Sequence, residues 1–373
     1  MMKRDELKKT NRWVVKLGSS LLTNKGLGLK TETLDNWVSQ IMALRNDGKE
    51  VVLVSSGAVA EGINRLKLGK RPPSLHELQA VAAVGQMGLI QAYESCFQKY
   101  NAHTAQILIT HDEISNRSRY LNARSTLRTL LGMNVVPIVN ENDTVATDEI
   151  QFGDNDTLAG LVSNLVEADI LVILTDQSGL YDQDPGKHDD AKLISYAEAG
   201  DKALEGYAGE VGTLGRGGML TKLRAAEIAA KSGTTTLIAN GMDENVLIRL
   251  ENGEDIGTLL DTKLGHVTAR KQWLAGQSRL VGELVLDEGA AKVLKEGGRS
   301  LLAVGVVSVK GDFQRGEIVR CLDLQGQEVA RGLINYNNEE IQKIMGQPSH
   351  KIESLLGYID EEELIHRDNM VIV

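Results

Sequence analysis

The amino-acid sequence predicts an α/β fold, a largely parallel sheet with helices on both sides, followed by a small β-rich, barrel-like domain. From residue 12 to about 262, short β-branched runs alternate with helix-patterned stretches. Several of these runs are apolar on both faces, as strands buried between helix layers must be. After Asp261 the alternation stops, and a polar, unpatterned stretch leads into short strand runs split by turn signals.

In chain order the strand candidates are Trp13–Leu17, Glu50–Ser55, Ala105–Ile109, Val135–Val139, Asp169–Thr175 and Thr234–Ala239. Helical patterns between them cover Leu34–Asn46, Leu75–Tyr100, Ser118–Leu131, Thr157–Val166 and Met219–Lys231. The binding crevice of such a sheet should lie beyond the carboxyl ends of its strands. A first domain is expected over residues 10–262, a linker over 263–280 and a second domain over 281–373. Strand runs in the second are Gly282–Leu286, Gly305–Val309, Glu317–Cys321 and Glu328–Leu333, divided by turns such as Lys310-Gly311-Asp312.

A chain of 373 residues is too long for one average domain. Its 42% hydrophobic and 25% charged content is ordinary for a globular protein with a sizeable core. Aromatic residues make up 4%, too few for the stacking platforms that hold single-stranded nucleic acid. The net charge of −10 disfavours non-specific polyanion binding. Cys96 and Cys321 have neither metal-ligand nor disulfide-framework spacing, which suits a reducing compartment. The first twelve residues are charged rather than signal-like, and no apolar run approaches the roughly 18–20 residues of a membrane span. A soluble, cytoplasmic protein is expected.

Neither a P-loop nor a dinucleotide-binding glycine fingerprint occurs. Three other turns suit phosphate. Lys16-Leu17-Gly18-Ser19-Ser20 follows the first strand, and Ser55-Ser56-Gly57-Ala58-Val59 follows the second and opens a helix. Gly215-Arg216-Gly217-Gly218-Met219-Leu220-Thr221-Lys222 enters a third helix with lysine in its first turn. Taken singly, a lysine at a strand end is more often a solvated edge charge and a Gly-Gly before a helix more often a turn; three such turns in one α/β domain, two carrying lysine, weigh against that reading. Short acidic and amide side chains crowd Asn140-Glu141-Asn142-Asp143 and Gly153-Asp154-Asn155-Asp156, at strand ends where polar ligands bind. A capping role stays open for Asn155 and Asp156 near the helix start at Thr157. Thr175-Asp176 likewise reads either as a turn or as a nucleotide-side loop.

The ordered set Val15–Ser19, Ser55–Ala58, Asn140–Asp143, Gly153–Asp156, Leu174–Asp176 and Gly217–Lys222 resembles the amino acid kinase family, in the branch acting on the side-chain carboxylate of L-glutamate. Gly298–Leu302, Gly305-Val306 and Gly311–Glu317 are similar to a PUA domain, which many bacterial members of that branch carry. The resemblance implies an amino acid kinase-type αβα sandwich with a PUA-like barrel behind it. It implies transfer of the ATP γ-phosphoryl group to glutamate, giving L-glutamyl 5-phosphate, the first step of proline biosynthesis. Carried onto these residues, Lys16 and Lys222 would neutralise phosphate charge and Asp156 would hold both lysines. Ser56, Asp143 and Asn155 would bind glutamate. Thr175, Asp176 and the turn Arg216, Gly217, Gly218, Met219, Leu220, Thr221 and Lys222 would bind ATP, with Lys16. Arg216 stands where many relatives carry a small hydroxyl residue, which leaves its contact with phosphate open. Mg²⁺ would arrive as MgATP. A homo-oligomer, dimer or tetramer, and feedback inhibition by proline are family expectations.

The residues suit that chemistry independently. A carboxylate with an ordinary pKa near ~4.3 is ionised at pH 7 and needs no general base. What remains is to hold two mutually repelling anions in line, and positioning can contribute roughly 7–11 kcal/mol. Two alternatives are open: a related kinase acting on acetylglutamate, aspartate or carbamate, and RNA binding through the second domain. Against RNA, residues 281–373 carry ten lysines and arginines against 16 aspartates and glutamates, a formal charge of −6.

Overall fold

The computed structural model describes residues 2–23, 28–146, 155–208, 218–262 and 281–373. Two compact units separate, one drawn from residues 1–114 and 123–266, the other from 115–122 and 267–373. The expected linker at 263–280 lies outside the described residues.

The first unit is built on eight strands, β1 Arg12–Leu17, β2 Glu50–Ser55, β3 Thr104–Ile109, β4 Val136–Glu141, β5 Ile170–Thr175, β6 Tyr196–Glu198, β7 Thr235–Asn240 and β8 Thr258–Asp261. Their order in the sheet is β3-β4-β2-β1-β5-β7-β8-β6. The run from β3 to β7 is parallel throughout. Strand β8 joins antiparallel to β7, and β6 lies parallel to β8. Strand β1 is central, with β2 registered on one side (Lys16 opposite Val54) and β5 on the other (Lys16 opposite Ile173). The chain turns outward in opposite directions from this strand, the switch point at which open α/β sheets bind ligands.

The helices of residues 2–262 are α1 Ser19–Leu22, α2 Thr31–Asn46, α3 Ala58–Arg65, α4 Leu75–Gln98, α5 His111–Ser115, α6 Arg117–Gly132, α7 Asn155–Val166, α8 Met219–Ala230 and α9 Val246–Glu251. Helices α2, α4 and α9 pack together on one side of the sheet, while α7 packs on α8 and on β1. Along β1, Trp13, Val15 and Leu17 share a core with Trp37, Ile41, Tyr93 and Phe97. Strands β4 and β5 are buried along their whole length, which is why they read as apolar runs without alternation.

The second unit contains β9 Gly282–Leu286, β10 Val306–Gly311, β11 Ile318–Leu322, β12 Glu328–Leu333 and β13 Met370–Ile372. They form a mixed sheet in the order β10-β9-β11-β12-β13, with β9 and β11 parallel. Helices α10 Glu288–Gly297, α11 Asn338–Ile344 and α12 Ile352–Leu356 complete the unit. Phe313, Tyr336, Ile341, Ile352 and Leu364 lie in its core. Helix α11 starts at a reciprocal cap, in which Asn337 accepts from the Glu340 N–H and Glu340 accepts from the Asn337 N–H. Sequence patterning anticipates neither this helix nor α10, α12, β6, β8 and β13. The missed strands run three or four residues, too short to display a period.

Candidate active site

Lys16 stands one residue from the carboxyl end of β1 and is 6% exposed. An ammonium group that deep requires a counter-charge. Asp156 supplies it from the first turn of α7, fully buried, with Oδ1 2.5 Å from Lys16 Nζ. Its Oδ2 lies 3.1 Å from Lys222 Nζ. Lys222 is the fourth residue of α8, is itself buried, and approaches from the other helix of the layer. The Thr221 hydroxyl sits 2.8 Å from Asp156 Oδ2 and 2.7 Å from the Gly218 carbonyl oxygen, tying the start of α8 to the same carboxylate. Burial opposes ionisation of Asp156, but the two ammonium groups and the hydroxyl outweigh it and hold its carboxyl well below the usual range. Both ammonium groups meet this carboxylate near the amino end of α8, where the helix dipole favours an anion.

Next to this cluster the polar groups are amides. Asn155 Nδ2 donates to the Ser55 carbonyl at 2.6 Å and to Asn140 Oδ1 at 2.8 Å. Asn140 Nδ2 donates to Gln86 Oε1 at 2.7 Å. Asn155 and Asp156 both lie inside the first turn of α7, and these side chains reach strand ends and lysines, which departs from the capping alternative. Ser56 is buried just beyond β2, and Gly57 follows with φ of +106°, a conformation that admits glycine and lets the chain turn into α3. Asp143 stands two residues past β4. Burial pushes its carboxyl up to about 6, with the Arg71 guanidinium pulling the other way.

On the opposite side of β1, Thr175 ends β5 and its hydroxyl donates to Asp176 Oδ1 at 3.2 Å, with Asp176 exposed. Gly218, Met219 and Leu220 are half-buried at the start of α8. Arg216 and Gly217 lie outside the described residues, as do Gly153 and Asp154. The fold thus gathers Lys16, Asp156, Thr221 and Lys222 into one cluster. Ser56, Asn155 and Asp143 fall on the β2–β4 side of it, and Thr175 with Asp176 on the β5 side. Sequence reasoning missed Gln86, Asn140 as a network member, and Arg71. Three glycines within the helical segments 58–65 and 75–98 (Gly62, Gly85 and Gly88) are the local signal that could have pointed to Gln86.

At the carboxyl edge of the parallel sheet two buried lysines meet one aspartate, beside a helix amino end of the kind that favours an anion. The chain belongs to the amino acid kinase family, whose family model matches residues 11–240, and a PUA domain model matches residues 282–356. Curated relatives match nearly end to end and are named glutamate 5-kinase. The relative from Nitrosospira multiformis is 61% identical over 98% of this chain and 99% of its own length. Those from Thioalkalivibrio sulfidiphilus and Nitrosococcus oceani are 61% and 60% identical, each over 99% of both chains.

Proposed function

We propose that this chain phosphorylates the side-chain carboxylate of L-glutamate with ATP, forming L-glutamyl 5-phosphate at the entry to proline biosynthesis. The observation that carries the reading is Asp156 bridging Lys16 and Lys222 at the sheet's switch point. Full-length relatives named glutamate 5-kinase support the substrate pair. A glutamate carboxylate oxygen attacks the γ-phosphorus, the bond from that phosphorus to the β,γ-bridging oxygen breaks, and ADP leaves with the electron pair. No proton moves, so no general base is required.

Lys16, from the central strand, and Lys222, from α8, neutralise charge on the transferring group, and Asp156 fixes both ammonium groups. Asn155, Ser56 and Asp143 hold glutamate on the β2–β4 side. Asp143 is the counter-charge for the substrate ammonium. Thr175, Asp176 and the turn from Arg216 to Lys222 hold ATP on the β5 side. Mg²⁺ enters as MgATP, since an ion that keeps phosphate oxygens and waters as ligands does not need Asp156, already committed to two lysines. When bound it spreads charge over the β- and γ-phosphates. Residues 10–262 form the catalytic domain in this reading, 263–280 the linker and 281–373 the PUA domain. Proline feedback and a dimer or tetramer belong to the same reading. Among the described residues no helix is long and apolar enough to cross a membrane.

An ATP-dependent hydroxamate assay tests the proposal with glutamate, aspartate and acetylglutamate side by side. Hydroxamate from glutamate alone is expected. Equal or greater yield from either competitor would reassign the substrate.

A further inference from the structure

The amide groups at the edge of the site have their orientations set by the backbone. A carbonyl accepts only, so the Asn155 atom 2.6 Å from the Ser55 carbonyl oxygen is its NH2 group. A backbone N–H donates only, so the Asn140 atom 2.9 Å from the Glu141 N–H is its oxygen. That same oxygen accepts from Asn155 Nδ2 at 2.8 Å, which uses the second Asn155 hydrogen. Asn140 therefore turns its NH2 group away, and Gln86 Oε1 receives it at 2.7 Å. Both Asn155 hydrogens are committed, and the group it can offer a ligand is its carbonyl oxygen. An acceptor suits an ammonium and repels a carboxylate.

Gln86 is 9% exposed and lies on the buried face of α4, among apolar residues such as Val81, Ala82 and Leu89. Its reach depends on how closely α4 crosses α3. A Cβ built at Gly85 would stand 1.8 Å from the Ala58 carbonyl oxygen and 2.4 Å from the Gly62 nitrogen. One built at Gly62 would stand 1.9 Å from the Val81 carbonyl oxygen. Backbone meets backbone at this crossing, and the next residue along α4 is Gln86.

We infer that Gln86 is a positioning residue: through Asn140 it locks the Asn155 carboxamide with its oxygen toward the substrate ammonium, and so sets affinity for the amino acid. The inference rests on Asn155 being a glutamate ligand. It assigns no substrate contact to Gln86. Without its oxygen, the Asn140 NH2 group loses its buried partner and the Asn155 amide loses one of two anchors.

The test measures kcat and KM for both substrates, with melting temperature, in the full-length protein for Gln86→Met, Gln86→Glu and Asn155→Ala. Methionine keeps the volume and removes the acceptor, whereas glutamic acid keeps an oxygen in place. In Q86M the KM for glutamate should rise about tenfold, the effect of one lost buried hydrogen bond, with kcat and the KM for ATP within about twofold. Q86E should restore glutamate KM to within about threefold of the parent. Unchanged glutamate KM in Q86M, an equal rise for ATP, or no rescue in Q86E overturns the positioning role. Should Q86M not fold, Q86E decides alone, since a tenfold rise there contradicts it. N155A separates the two layers. If its glutamate KM is unchanged, Asn155 is not a ligand and the underlying reading fails as well; if it rises while Q86M stays normal, only the role of Gln86 fails.

Discussion

Asp143→Asn should make the free protein more stable and the enzyme worse. Burial raises the Asp143 carboxyl from 3.8 to about 6 against the pull of Arg71. That rise corresponds to about 3 kcal/mol against ionisation, or about 1–3 kcal/mol once solvent screening at a half-buried group is allowed for. A carboxyl raised in the folded state contributes stability below its unfolded value, and the contribution is lost as pH rises through the folded value. The parent therefore bears the full cost above about pH 6. Asparagine has nearly the same shape and never ionises, so D143N should melt several degrees higher at pH 8. The gain should shrink toward pH 5. Glutamate binding should move the other way: in the parent it weakens as pH falls through about 6, when the counter-charge for the ammonium is protonated, and in D143N it is weak throughout. Thermal unfolding and calorimetry at pH 5, 6 and 8 measure both. Loss of stability in D143N at pH 8, or a difference independent of pH, would show that ionised Asp143 costs the fold nothing.

Removing one ammonium group in Lys222→Ala should cut kcat by about 10²–10³-fold while calorimetric glutamate binding persists; a near-normal kcat would remove Lys222 from the transition state. Asp156→Asn leaves two buried lysines without their shared anion and should cost about 3–5 kcal/mol of stability in chemical denaturation. The carboxyl of Asp156 is held well below its usual range, so its contribution is present above that range and lost only as pH falls beneath it. The D156N deficit should therefore be flat between pH 6 and 9, and a strong slope there would contradict the ion-pair account. Gly85→Ala places a methyl group 1.8 Å from the Ala58 carbonyl. It should destabilise by about 3 kcal/mol or more, read from urea midpoints, and neutral behaviour would show that α3 and α4 can part.

The parallel sheet was legible because its inner strands are buried on both faces and bracketed by helices, so apolar runs and turns place β1 to β5 and β7 within a residue or two. What escaped was short or peripheral, such as Tyr196–Glu198 and Met370–Ile372, where pairing rather than pattern makes the strand. Chemistry was less local. Lys16, Asp156 and Lys222 are separated by 140 and 66 positions, and no spacing rule joins them; ordered resemblance did that, and the geometry supplies the shared carboxylate. Gln86 was invisible for another reason. A glutamine inside a helical pattern reads as a surface residue, and its burial follows from a glycine crossing between two helices that exists only in three dimensions.

In the proposed reaction a glutamate carboxylate oxygen, rather than water, attacks the γ-phosphorus at the Lys16–Asp156–Lys222 cluster. Glutamate labelled with ¹⁸O in both side-chain carboxylate oxygens tests it, with ATP, Mg²⁺ and hydroxylamine present. The phosphate released on trapping is then weighed by mass spectrometry. The bridging oxygen of an acyl phosphate stays with phosphorus when the amine attacks the carbonyl carbon, so each phosphate should carry one ¹⁸O. Unlabelled phosphate at the same rate of ATP consumption would show that the cluster activates water, and the account would be wrong.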